Sequence, residues 1–162
     1  MALTTYRPLD SSESHLLEVA TLGNLNWCGD RFTMSDLRST PDFAHYTVLD
    51  PSRGDFGIVA IRDERPVGVA WALFLPRESR GYGFVDEQTP EVSVWVNARL
   101  RGQGIGRGLM QEINRVAHDR ELPALSLSVE GDNPARNLYV SEGYVQVPGR
   151  EKDGVMLLRL QR

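Results

Sequence analysis

The hydrophobic positions of this chain change period several times. Between residues 91 and 96, Val92, Val94 and Val96 alternate with Ser93 and Trp95, the two-residue repeat of a strand. Further on, Ile105, Leu109, Ile113, Val116 and Ala117 recur every three or four positions and lay one apolar stripe along a helix. Leu16, Leu17, Ala20 and Leu22 keep a looser helical spacing after Ser11-Ser12-Glu13-Ser14, whose serines predict a capped helix start. Ser35 opens a short second helix that Pro41 limits. Val, Ile and aromatic residues dominate 55–62 and 66–75, two strands joined by the polar turn Asp63-Glu64-Arg65. Residues 124–129 alternate as another strand, and Asp132-Asn133-Pro134 opens a short helix with Asn133 as N-cap and Pro134 as first helical residue. Gly143 is placed to end that helix. Strands near 4–7, 144–147 and 155–160 complete the series, while 23–31 and 76–90 read as irregular. After the first strand the order is αα, ββ, then βαβαββ, an α/β (α+β) chain with a mixed sheet in one domain over 1–162.

Composition narrows the function classes. The chain has 162 residues, 41% hydrophobic and 25% charged, enough to bury a core without disulfides or metals. Cys28 is the one cysteine, so no intrachain disulfide can form; this suits a reducing, cytoplasmic setting, and a buried structural thiol is expected there. The net charge of −4 argues mildly against nucleic acid and is compatible with a cationic or amine substrate. No apolar run approaches the roughly 18 residues that span a membrane, and the first seven residues lack the layout of a signal peptide. No cluster has metal-ligand spacing. His15, His45 and His118 fall on separate elements, and His118 suits a helix C-terminus.

Arg101-Gly102-Gln103-Gly104-Ile105-Gly106 joins the strand at 91–96 to the amphipathic helix. Free N–H groups at a helix start, with the positive end of its dipole, favour an anion. Glycines allow a phosphate close to the backbone, and Arg101 and Arg107 add charge suited to phosphate oxygens. A P-loop is excluded because Arg107-Gly108 follows Gly106 where Lys-Ser/Thr is required, and the dinucleotide fingerprint lacks its third glycine at Arg107. A tight strand-to-helix turn without a ligand is the plain alternative.

A second motif decides between these readings. Asn133-Pro134-Ala135-Arg136-Asn137-Leu138-Tyr139 followed by Gly143-Tyr144 comes one helix and one strand after the glycine turn. Together the two motifs resemble the GNAT superfamily of acetyl-CoA-dependent N-acetyltransferases, over about residues 55–160, with Ala98 standing where that family often has proline. The resemblance implies a mostly antiparallel central sheet flanked by helices. It implies acetyl-CoA as co-substrate, with the pyrophosphate on the backbone amides of Gln103, Gly104, Ile105 and Gly106. The pantetheine arm would lie along Val94, Trp95 and Val96, which plain core packing also explains. Asn133 and Arg136 would contact the cofactor; an N-cap and a solvated helix face are their bland readings.

The same resemblance casts Tyr139 as proton donor to the departing thiolate. Glu91 is the first candidate for the base that takes the proton of an incoming ammonium, and Glu130 the second. The acceptor, a small-molecule or protein amine, would meet 25–31, 76–90 and 148–154, with Trp27, Phe32, Tyr82 and Phe84 as candidate lining. A homodimer is compatible with the resemblance. A catalytically inactive acyl-CoA-binding sensor or partner module remains the alternative to an enzyme, and Tyr139 favours the enzyme.

Overall fold

The computed structural model describes residues 3–160. Met1, Ala2, Gln161 and Arg162, which the expected single domain over 1–162 includes, lie outside the described residues. The chain runs β1 (Thr5–Pro8), α1 (Ser14–Leu25), α2 (Met34–Ser39), α3 (Pro41–Ala44), β2 (Phe56–Arg62) and β3 (Arg65–Leu73). It continues as β4 (Glu91–Val96), α4 (Ile105–Asp119), β5 (Ala124–Ser128), α5 (Ala135–Ser141), β6 (Val145–Gln146) and β7 (Val155–Arg159). The sheet order is β1-β2-β3-β4-β5-β7-β6. Every neighbouring pair is antiparallel except β4 and β5. The expected mixed, mostly antiparallel sheet flanked by helices is therefore what the chain forms.

Both faces of the sheet are covered, which explains why β2 and β3 are buried almost throughout. Leu109, Met110 and Ile113 of α4 pack with Ile58, Ala60, Ala70 and Ala72 on one face. Leu17 and Ala20 of α1 pack with Val59, Val69, Trp71 and Leu73 on the other. The period-2 rule thus sorts β4 as well: Val92, Val94 and Val96 join the α4 side, and Trp95 the α1 side.

Four local expectations change. Helix α1 runs through Gly23 to Leu25 rather than breaking at 23. A Cβ on Gly23 would lie 2.4 Å from Trp95 Nε1, so the glycine is there for close helix-on-strand packing, not to end the helix. The serines before α1 do not cap it; Ser12 bonds Asp10, and Glu13 accepts from the Asp10 N–H at 2.9 Å and pairs with Arg7. Helix α2 starts one residue earlier than expected because Thr33 and Asp36 form a reciprocal capping box. Cys28 is exposed, so it is not the buried thiol that composition suggested. Gly143 does end α5, at φ +99°, with the Tyr144 N–H reaching Tyr139 O at 3.0 Å.

The feature that positions the site is the junction of β4 and β5. β3 pairs with β4 along its whole length, from Glu91 opposite Leu73 to Val96 opposite Gly68. On its other side β4 registers with β5 only at Glu91 and Ser126 among the described residues. Beyond that pair the strands diverge and leave the backbone edge of β4 unpaired. Among the described residues no helix is long and apolar enough to cross a membrane, and no group of His, Cys, Asp or Glu is placed to hold a metal.

Candidate active site

A cavity of about 850 Å³ opens at the split between β4 and β5. One half is walled by β4, the glycine turn and the start of α5; the other by α1, the loop after it, α3 and the 76–90 loop. Of the candidate residues, Glu91, Val94, Trp95, Val96, Arg101, Gly102, Gly104, Ile105, Gly106, Arg107, Asn133 and Tyr139 share this cavity. Gln103 and Arg136 are not on its wall. The Gln103 side chain points away, accepting from Arg62 Nη1 at 2.6 Å, and Arg136 is half-buried on α5.

The turn has the conformation an anion site requires. Gly102 and Gly104 hold φ of +78° and +84°, and a Cβ on either would meet nothing within 4 Å. Gly104 is the N-cap of α4, and the Gly108 N–H makes the first helical bond to Gly104 O at 3.0 Å. The N–H groups of Ile105, Gly106 and Arg107 therefore have no helical acceptor. Arg101 is exposed and reaches Val96 O at 3.4 Å. Arg107 is less free than its sequence position suggested, because Glu142 Oε2 at 2.5 Å and Ser141 Oγ at 3.0 Å both engage it.

Helix α5 starts one residue later than expected, with Pro134 rather than Asn133 at the N-cap; Asn133 lies just before it, its Oδ1 accepting from the Ala135 N–H at 2.9 Å, and it also lines the cavity. Tyr139 is 8% exposed, and burial pushes its phenol up to about 12. Tyr139 lies on the cavity wall, and its hydroxyl makes no hydrogen bond among the described residues.

Glu91 lies at the point where the strands part. It is 5% exposed, and burial raises its carboxyl to about 7, against the Tyr46 hydrogen bond and the nearby Gly83 backbone amide, which pull it down. Tyr46 donates to Oε2 at 2.7 Å and accepts from the Tyr82 N–H at 2.9 Å. Oε1 is buried with no hydrogen-bond partner among the described residues. A Cβ on Gly81 would lie 2.1 Å from Oε1, so only glycine leaves room beside the acid. The sequence offered no signal for Tyr46 or Gly81, since neither shares a motif or period with Glu91.

Glu130, the second candidate base, is differently placed. Arg31 binds it at 3.0 Å and Trp27 Nε1 donates to it at 3.0 Å, which holds its carboxyl below the usual range. Its proton affinity is spent on this ion pair. Trp27, Phe32 and Tyr82 line the cavity as expected. Phe84 does not: it is 7% exposed, with the Arg77 guanidinium over its ring at 5.3 Å.

With the geometry in hand, comparison with known proteins places the chain. The model of the Acetyltransferase (GNAT) family matches residues 21–144. The chain belongs to the GNAT acetyltransferase family. Solved GNAT-fold relatives cover nearly all of it. A GNAT-family acetyltransferase from Staphylococcus aureus Mu50 superposes with a TM-score of 0.71 at 12% identity, covering 98% of this chain and 100% of that one. The yncA protein of Salmonella typhimurium, solved with its cofactor acetyl-CoA, gives 0.68 at 20% identity, with 99% and 95% covered. The PaiA N-acetyltransferase of Thermoplasma acidophilum, in complex with coenzyme A, gives 0.66 at 12% identity, with 97% and 99% covered. A comparison with curated proteins gave no match. GNAT membership supports acetyl-CoA-dependent acetyltransfer in general.

Proposed function

We propose that this GNAT chain is an N-acetyltransferase that moves an acetyl group from acetyl-CoA to a primary amine by direct attack in a ternary complex. The observation that carries the reading is that one cavity joins a helix N-terminus, a strand edge left unpaired among the described residues, a carboxyl at about 7 and a phenol pushed up to about 12. The residues present fit CoA. Free N–H groups and open space at Gly102 and Gly104 suit a pyrophosphate, with Arg101 beside them. The β4 edge past Glu91 suits an extended amide-bearing arm, as an added strand would. When bound, acetyl-CoA supplies an activated acetyl carbon and a thiol leaving group.

The chain's own residues then divide the proton work. Glu91 takes a proton from the incoming ammonium, leaving a neutral amine able to attack. A carboxyl near 7 is matched to that task at neutral pH, because enough of it is ionised and it is still basic enough to accept. Tyr139, pushed to about 12, stays protonated and gives its proton to the sulfur as the carbon–sulfur bond breaks. Glu130 is occupied by Arg31 and Trp27, which favours Glu91 as the base.

Two measurements test the proposal. Acetyl-CoA is expected to raise the melting temperature of the protein, since it binds the native state. Free thiol is expected to appear when an amine acceptor is added. Stabilisation without thiol release from any amine would point to an acyl-CoA-binding module instead, and absence of stabilisation would remove both readings.

A further inference from the structure

The acceptor half of the cavity is aromatic. Phe32 and Phe43 meet edge to face with centroids 4.9 Å apart, and Tyr46 and Tyr82 lie nearly parallel at 6.5 Å. Trp27 joins them on the same wall, and Tyr82 is 52% exposed. The other charged residues on this wall of the cavity are matched, and Asp42 lies outside it, with Tyr82 in the neighbouring pocket. Arg31 holds Glu130 at 3.0 Å, and Arg150 holds Asp153 at 3.3 Å. The acidic group left for an acceptor is Glu91, whose Oε1 has no partner among the described residues.

From this we infer that the acceptor is a monoamine carrying an aromatic or bulky apolar body, with its nitrogen at Glu91 and its body between the two aromatic pairs. The inference rests on the acetyltransferase reading above. Burying apolar surface against these rings is favourable in proportion to area. A second ammonium, or a hydroxyl-rich ring, would lose water between the rings without a free carboxylate on that wall to replace it. An anionic acceptor fares no better, because Arg31 is committed to Glu130 and to Leu25 O.

The experiment follows thiol release from acetyl-CoA with 2-phenylethylamine, ethylamine, spermidine, kanamycin and a short peptide with a free N-terminus. Binding of acetyl-CoA alone is measured in parallel by thermal shift. The expected result is a kcat/KM for 2-phenylethylamine at least about ten-fold above each of the others. Phe43→Ala is expected to lower kcat/KM for 2-phenylethylamine by about ten-fold and for ethylamine by less than about two-fold. Phe32→Leu, which keeps most of the volume, is expected to act in the same direction with retained acetyl-CoA stabilisation. Acetyl-CoA binding with preferred turnover of spermidine, kanamycin or the peptide overturns the inference and leaves the transferase reading intact. Binding with no turnover of 2-phenylethylamine also overturns it. Loss of acetyl-CoA binding in the wild type removes the transferase reading itself, and the inference with it.

Discussion

Tyr46 donates its phenolic hydrogen to Glu91 Oε2 at 2.7 Å, across 45 residues of sequence, while accepting from the Tyr82 N–H at 2.9 Å. One hydroxyl therefore ties the acid at the start of β4 to the 76–90 loop. The bond stabilises the ionised carboxylate, and burial opposes it. Tyr46 is in this sense a positioning residue for the proposed base.

Tyr46→Phe removes the donor and leaves the burial. The carboxyl of Glu91 then rises above about 7, and the acidic limb of kcat/KM moves to higher pH. Wild type and variant are compared with the same amine, so that the titration of the acceptor cancels. Activity at pH 7 is expected to fall several-fold and to recover toward the wild-type value near pH 9. A limb that stays in place would detach Tyr46 from the acid.

Glu91→Gln probes the same group through stability as well as rate. The folded-state carboxyl is raised, so its protonated form is favoured by folding. Its contribution is whole below the unfolded value near 4.5 and is lost as pH rises through about 7. A neutral glutamine of the same shape escapes that loss and can still accept from Tyr46. The variant is expected to melt about 5 °C higher than wild type at pH 8, and within about 1 °C of it at pH 5. If Glu91 is the base, the same change lowers kcat by roughly a hundred-fold or more.

What the sequence made legible follows from the range of the interactions involved. The stripe on α4, the alternation in β4 and the turn glycines are local patterns, and the structure contains each; the Asn133–Pro134 helix start is there too, shifted by one residue. Gly23 misled because a glycine that ends a helix and one that lets a helix touch Trp95 look alike in one dimension. The serines before α1 misled because Asp10 holds Ser12 by both its N–H and its hydroxyl, so that serine turns away from the helix start. Tyr46, Gly81 and the Arg31–Glu130 pair were invisible because they are contacts between distant segments that only the folded sheet brings together.

Tyr139→Phe separates binding from chemistry. The tyrosine hydroxyl makes no hydrogen bond among the described residues, so its removal leaves no stranded partner. Stability and CoA affinity are expected to stay within about 0.5 kcal/mol of wild type. The value of kcat is expected to fall about ten-fold or more as the departing thiolate loses its proton donor. With the phenol near 12, the wild type should show no alkaline loss of rate from this group below about pH 10. An unchanged kcat would take Tyr139 out of the proposed mechanism.

Gly104→Ala tests the turn against a control built into the same chain. Gly104 and Gly149 both hold φ of +84°, and a Cβ on either would meet no atom within 4 Å. The two substitutions therefore carry the same backbone strain, about 1–2 kcal/mol in the left-handed region, and no clash. They differ in surroundings: Gly104 caps α4 on the cavity wall, while Gly149 is exposed in the loop before β7 and away from that wall. Both variants are expected to lose a similar few degrees of melting temperature, read by thermal denaturation without ligand. Only Gly104→Ala places a methyl group where the phosphate oxygens must approach the amides of α4. Its Kd for CoA, measured by titration calorimetry, is expected to rise about ten-fold or more, and that of Gly149→Ala to stay within about two-fold. Equal affinity in both variants would mean that the glycine turn does not hold the pyrophosphate.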